Sequence, residues 1–138
     1  RTYRESVAPY SRMVAQRVAG AVSPVTGCRA PLIHFGTGSA PILADMAEVG
    51  PNCVGVDWKT DLSWAIAQVP GKAVQGNLDP ALLQAPWPVI EQAVRDILDA
   101  GRSAPGHVFN LGHGVPPTTN PDVLTRIVEL VHELGEAR

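Results

Sequence analysis

The chain has 138 residues, of which 45% are hydrophobic and 17% charged, with a formal net charge of −2 at pH 7. This length and mixed composition exclude a disordered, collagen-like or coiled-coil protein. Lys and Arg number 11 against 13 Asp and Glu, so no basic excess is available for nucleic acid or an anionic membrane. We therefore expect no nucleic-acid and no membrane partner, and the lack of a long apolar run or signal peptide predicts a soluble, cytosolic protein.

The chain begins with a predicted amphipathic helix over residues 3–19. Five apolar residues recur there at steps of three and four, which is typical of one buried helix face. They are Val7, Tyr10, Met13, Val14 and Val18. Gly20 follows as a helix stop.

Four short apolar runs then predict buried β-strands at residues 31–35, 53–56, 73–76 and 107–110. Each is followed by a helical pattern, in order at about residues 39–49, 61–69, 81–84 with 88–100, and 121–134. Val89 and Val128 are assigned to buried helix faces, and Asn120 with Pro121 makes the clearest helix start. The alternation predicts an α/β fold with a parallel sheet covered by helices, and no internal linker interrupts residues 1–138.

The cysteine and metal-ligand patterns are sparse. Cys28 and Cys53 are expected to be buried free thiols in a reducing compartment, because two cysteines are too few for a disulfide framework. The chain contains no Cys-x-x-Cys, His-x-Cys or His-Glu-x-x-His pattern, so no metal site is predicted.

Ligand sites in parallel α/β proteins lie at the carboxyl ends of the strands, where this chain places several polar residues. His113 stands between Gly112 and Gly114 after the fourth strand, and a ligand or proton-transfer role remains open beside that of a surface or supporting histidine. Asp57 and Asn77 follow the second and third strands, where either a role in the site or hydrogen bonds to loop backbone would suit them.

The remaining strand-end and histidine motifs favour structural roles. Gly36-Thr37-Gly38 lacks the rest of a phosphate-binding fingerprint and is interpreted as a tight turn, and Asp79 before Pro80 as a helix N-cap. His34 and His107 lie in strands and are expected to be packed or hydrogen-bonded. His132 lies near a helix C-terminus, where it suits the helix dipole.

Two motifs, Asn77-Leu78-Asp79-Pro80 and Asn110-Leu111-Gly112-His113-Gly114, resemble the carboxyl-terminal half of the uroporphyrinogen decarboxylase family. Gly55-Val56-Asp57-Trp58, Gln75-Gly76 and the stretch at residues 127–133 support the resemblance, which runs in family order over nearly the whole chain. It implies the last four units of a (β/α)8 TIM barrel, with the missing N-terminal half of the barrel as a partner.

The resemblance also implies an activity. The family removes the carboxyl groups of the four acetate arms of uroporphyrinogen III, giving coproporphyrinogen III in haem biosynthesis, as a homodimer with no cofactor. His113 is implied to contact a substrate carboxylate, while Asp57, Asn77, Gly112 and Gly114 line or support the cleft. The family's substrate-binding arginines and essential aspartate belong upstream of Arg1, so no catalytic residue is expected in this segment and the chain alone is expected to be inactive.

Two alternatives remain open. One is a corrinoid or methionine-synthase-like methyltransferase of the same superfamily, and the other is a non-catalytic α/β assembly module. Half a barrel would leave its first and fourth strands without neighbours, so we also expect the isolated chain to self-associate through an edge or an exposed face.

Overall fold

A computed structural model describes residues 2–135, in which four strands alternate with helices. The strands are β1 (Ile33–His34), β2 (Cys53–Gly55), β3 (Ala73–Gln75) and β4 (His107–Val108). The α-helices are α1 (Thr2–Ser6), α2 (Ala8–Val18), α3 (Leu43–Glu48), α4 (Leu62–Gln68), α5 (Trp87–Gly101) and α6 (Pro121–Leu134). Short 3₁₀ helices at Ala40–Ile42 and Pro80–Gln84 lead from the first and third strands towards the helices that follow.

The sheet is parallel and its strands lie in chain order, β1-β2-β3-β4. Gly55 pairs with Gln75, and Gln75 pairs with Val108, so these residues form one row across the sheet. Within the described residues β1 and β4 are the edge strands, as predicted. The order confirms the α/β class, and four parallel strands with their helices are consistent with part of a (β/α)8 barrel.

One face of the sheet is covered by helices. Val54 and Val74 are fully buried there, and they pack with Leu43 of α3 and Ala65 of α4 in one hydrophobic cluster. A second cluster joins α5 and α6 through Ile90, Val94, Ile127 and Leu130. This face, defined by Val54 and Val74, is called the covered face below.

The opposite face is partly exposed, at β1 and β4. Ile33, Phe35 and Val108 are 44%, 48% and 50% exposed, and Gln75 lies in the same row as Val108. We call this the open face. The expectation that all four strands are buried is therefore wrong for β1 and β4, because a strand is buried on both faces only when each face has a packing partner.

The helix starts follow the capping signals in the sequence. Asn120 accepts a hydrogen bond from the backbone N–H of Asp122 at 3.0 Å, and Pro121 takes the first turn of α6. Asp79 accepts from the N–H of Ala81 at 2.9 Å, which confirms its predicted capping role. Ser39 precedes a 3₁₀ helix, and its side chain makes no capping bond.

The predicted first helix is two helices. It is divided at Val7, because Pro9 has no N–H to donate to the carbonyl four residues earlier and so cannot continue a helix from α1. Its predicted buried face is also wrong: the five residues of that face are 40–66% exposed, and Ala8 and Ala15 are buried instead. The apolar stripe requires a partner that the described residues do not provide.

Three further burial predictions are wrong. Val89 on α5 and Val128 on α6 are about half exposed, because each apolar stripe is wider than the surface that a neighbouring helix covers. Cys28 is an exposed free thiol in the loop between α2 and β1, whereas Cys53 is buried as predicted.

Candidate functional site

A cleft of about 300 Å³ lies at the carboxyl end of the sheet, on its open face. β1, β2 and β3 and the loop after β4 contribute its walls. The lining residues are Phe35, Val56, Gln75, Asn110, Leu111, His113 and Gly114. The cleft therefore brings together residues 79 positions apart in the sequence, because parallel strands end at the same edge of the sheet.

His113 is exposed at this cleft, with its imidazole against the indole of Trp58. The two ring centroids are 5.3 Å apart and the ring planes meet at 83°. The ammonium group of Lys59 lies 5.1 Å from the centroid of the same indole. His113 and Lys59 thus both contact the indole of Trp58. Among the described residues that line the cleft there is no Lys or Arg.

Gly112 makes the close approach of the two loops possible. A Cβ added to Gly112 would lie 2.2 Å from the backbone nitrogen of Trp58, which no side chain could occupy without moving the backbone. A Cβ on Gly114, which lines the cleft, would have no atom within 4 Å. The two glycines that flank His113 therefore differ: Gly112 allows the two loops to pack closely, whereas Gly114 lines the cleft without a side chain that would fill it.

Asp57 is fully buried in the loop after β2. Its carboxylate accepts hydrogen bonds from the backbone N–H groups of Gly38 and Lys59 and from the hydroxyl of Thr60, the last at 2.9 Å. The first bond crosses to the loop after β1, so Asp57 joins two strand-end loops. Of the two roles that the sequence allowed, these contacts match hydrogen bonding to the loop backbone. Asp57 therefore supports the cleft and does not line it beside His113.

Asn77 is buried directly beside this network. Its amide donates hydrogen bonds to the carbonyl oxygens of Asp57 at 2.9 Å and Thr60 at 2.6 Å. It therefore ties the loop after β3 to the loop after β2. Like Asp57, it lies in the support of the cleft and not in its lining.

The sequence interpretation missed Phe35 and Gln75 as cleft residues. Phe35 packs over Gly55, where an added Cβ would lie 2.8 Å from its ring. The Gln75 side-chain oxygen is buried and has no hydrogen-bond partner among the described residues. A glutamine within an apolar strand was the available signal, but only the strand register places it on the open face.

The other histidines lie outside the cleft lining. His107 Nε2 donates to the carbonyl oxygen of Gly76 at 2.7 Å, and His34 Nδ1 lies 3.4 Å from the carbonyl oxygen of Met46. These contacts confirm the hydrogen-bonded roles predicted for both. His132 is exposed in the last turn of α6.

Residues 2–135 contain neither a metal-type cluster nor a membrane-spanning helix. No three His, Cys, Asp or Glu side chains in this range are grouped so as to hold a metal ion. In the same range, no helix is both long enough and apolar enough to cross a bilayer.

The family model described as uroporphyrinogen decarboxylase matches residues 1–134. The chain belongs to this family. It is 56% identical over 133 residues to uroporphyrinogen decarboxylase from Salinispora tropica, a match that covers 96% of this chain and 34% of that protein. It is 54% identical to the protein of that name from Arthrobacter sp., covering 94% of this chain and 38% of the relative. The chain thus spans about a third of the length of these curated relatives.

A solved structure has the same fold. A methyltransferase from Methanosarcina mazei superposes with a TM-score of 0.76 at 18% sequence identity, covering 97% of this chain and 37% of that one. At this identity the likeness shows the fold alone. It supports the assignment of the four parallel strands and their helices to a partial barrel.

Proposed function

We propose that this chain is the carboxyl-terminal part of a uroporphyrinogen decarboxylase. The whole enzyme removes the four acetate carboxyl groups of uroporphyrinogen III to give coproporphyrinogen III in porphyrin and haem biosynthesis. The observation that carries the proposal is the position of His113, which is exposed in a cleft at the carboxyl ends of the strands of a chain from this family. Clefts at this end of parallel strands are where such folds bind their ligands.

In this proposal His113 binds a carboxylate arm of the substrate. An imidazole N–H can donate a hydrogen bond to a carboxylate oxygen, and the bond is stronger when the imidazole is charged. The structure leaves the imidazole available, since His113 is exposed and no hydrogen bond to another described residue engages it. Phe35, about half of whose surface is exposed, supplies an apolar wall against which a pyrrole ring can pack.

In our proposal, the proton donors and cationic groups that decarboxylation requires come from the rest of the enzyme and not from this chain. Protonation of a pyrrole carbon creates an electron sink, and carbon dioxide leaves with its bonding electrons passing into the ring. A second proton then completes the methyl group, and loss of the first proton from the ring carbon restores the pyrrole. A polyanionic substrate also requires several cationic partners, and the cleft lining described above carries no Lys or Arg. We therefore propose that the isolated chain is inactive. We also propose, from the resemblance to the family, that the whole enzyme is a cytoplasmic homodimer that acts without a cofactor.

The test is His113→Asn in the full-length protein. We expect kcat/KM to fall about tenfold or more, mainly through KM, because one charge-assisted hydrogen bond to the substrate is lost. His132→Asn is the matched control, since His132 is exposed in the last turn of α6 and should leave kcat/KM unchanged. An unchanged kcat/KM in His113→Asn would remove this residue from the substrate site.

A second measurement concerns the chain alone. The purified 138-residue chain should form no coproporphyrinogen from uroporphyrinogen III. Product formation above the rate without protein would contradict the proposed division of the active site.

The alternative of a corrinoid or methionine-synthase-like methyltransferase is supported by the fold of the Methanosarcina mazei methyltransferase alone. The two proposals differ in chemistry, since the methyltransferase reading requires zinc held by His and Cys. Stoichiometric zinc in the purified full-length protein, measured by elemental analysis, would favour that alternative.

A further inference from the structure

Trp58 connects the loop after β2 with the loop that carries His113. The ring centroids of Trp58 and His113 are 5.3 Å apart, with an interplanar angle of 83°. Aromatic rings attract each other in this edge-to-face geometry because the positive edge of one ring meets the negative face of the other. Within the described part of the chain, the imidazole of His113 contacts the ring of Trp58 and forms no hydrogen bond with another residue.

The separation of the two loops is determined by backbone contacts. Gly112 lies directly against the backbone of Trp58, where even one added carbon would come within 2.2 Å of the nitrogen. The N–H of Gly112 also donates to the carbonyl oxygen of Leu78 at 2.8 Å, which holds this part of the loop to the sheet. His113 therefore follows a residue whose backbone packs against Trp58 and is hydrogen-bonded to the loop after β3.

Trp58 itself lies in a constrained turn. Asp57, the residue before it, accepts hydrogen bonds from Lys59 and Thr60, which follow it. Asn77 donates to the carbonyl oxygen of Asp57 at 2.9 Å, so the turn is tied to the next strand-end loop as well. The buried Asp57 and Asn77 thus hold the turn that carries Trp58, although neither lines the cleft.

We propose that Trp58 is a positioning residue whose indole orients the imidazole of His113 towards a substrate carboxylate. The inference rests on the proposed function, because it assumes that His113 binds substrate. Without the indole, the imidazole of an exposed histidine can rotate about both side-chain bonds, and the substrate must then order it on binding. The loss falls on binding rather than on the chemical step, so KM rises while kcat is little changed.

The experiment uses the full-length protein with histidine labelled at the imidazole carbons. Three variants are compared with wild type: Trp58→Leu, Trp58→Phe and the control Trp64→Leu. Trp64 is exposed on α4, and its hydrogen bond to Asp61 uses the backbone N–H, which the substitution retains. The readouts are the NMR shift of the His113 Cε1–H, assigned with His113→Asn, and the steady-state kcat and KM for uroporphyrinogen III.

In Trp58→Leu the His113 resonance should lose the ring-current shift of the indole, and KM should rise about three- to tenfold with kcat within about twofold of wild type. Trp58→Phe retains an aromatic ring and should restore most of the KM. Trp64→Leu should change neither readout. A structural role alone would not produce this separation of KM from kcat together with rescue by Phe.

An unchanged His113 resonance in Trp58→Leu overturns the inference. If His113→Asn raises KM but Trp58→Leu leaves it unchanged, the inference about Trp58 is also overturned. If His113→Asn itself leaves KM unchanged, the proposed function is overturned. If the Leu variant does not fold, Trp58→Phe decides: its smaller ring should shift the resonance partly, and a resonance identical to wild type overturns the inference.

Discussion

The two faces of the sheet have different environments. On the covered face, Val54 and Val74 are fully buried against the helices that follow each strand. On the open face, Ile33, Phe35 and Val108 keep about half of their surface exposed. Parallel sheets normally have both faces covered, since their strands are apolar on both sides.

The difference shows which part of the fold this chain completes by itself. Each strand and the helix after it are adjacent in sequence, so the covered face forms from local units. The open face requires packing from elsewhere, and in a closed (β/α)8 barrel that packing comes from side chains of the other strands. The cleft with His113 is on the open face, which agrees with our proposal that the whole enzyme completes the site.

Shortening one apolar side chain on each side of the sheet should give the largest difference in stability. Leu43→Ala on the covered face should lower the free energy of unfolding of the chain by about 2–5 kcal/mol, because it leaves a cavity in a packed cluster. Ile33→Ala removes the same number of carbons from the open face and should cost less than half as much. Urea denaturation followed by circular dichroism measures both, and equal losses would show that the open face is packed in solution.

Gly112 and Gly114 test the cleft on the open face. Gly112→Ala should destabilise the chain by about 1–3 kcal/mol, because the new methyl group would collide with the backbone of Trp58 and push the loops apart. Gly114→Ala meets no atom within 4 Å and should change stability by less than about 0.5 kcal/mol. Thermal melting of the two variants checks this, and a similar Tm for both would contradict the close loop contact.

The smallest expected effect is a difference in the rate of modification of the two free thiols, Cys28 and Cys53. Burial raises the pKa of the Cys53 thiol, so at a given pH less of it is the reactive thiolate, whereas Cys28 is exposed. At pH 8 a thiol reagent should modify Cys28 promptly and Cys53 only slowly, with urea abolishing the difference. Peptide mass spectrometry assigns the sites. Rapid modification of Cys53 in the native chain would show that solvent reaches β2 from the open face.

Much of the fold could be predicted from local signals. Asn120 and Pro121 mark the start of α6, Asp79 caps its 3₁₀ helix, and the four strands lie where short apolar runs occur. Burial was harder to predict. Val128 continues an apolar stripe, yet it is half exposed, because burial depends on the partner surface and not on the stripe.

For the candidate site, position after a strand identified His113, Asp57 and Asn77 as residues of one sheet edge. It did not separate them by role. The hydrogen bonds of Asp57 and Asn77 place these side chains in the loop support, and the arrangement of the strand ends places Gln75 and Phe35 at the cleft. Such distinctions depend on contacts between residues about 20 to 80 positions apart, which local patterns do not encode.

The amino-acid sequence by itself determined the α/β alternation, the helix caps and the motifs around Asn77 and His113 that resemble the family. These depend on propensities and hydrogen bonds within a few residues of each other. Only the tertiary structure decided which sheet face is partly exposed, which polar groups support the cleft, and that Trp58 lies against His113. Those outcomes follow from the packing of whole elements, where the space left by Gly112 determines how closely two distant loops can meet.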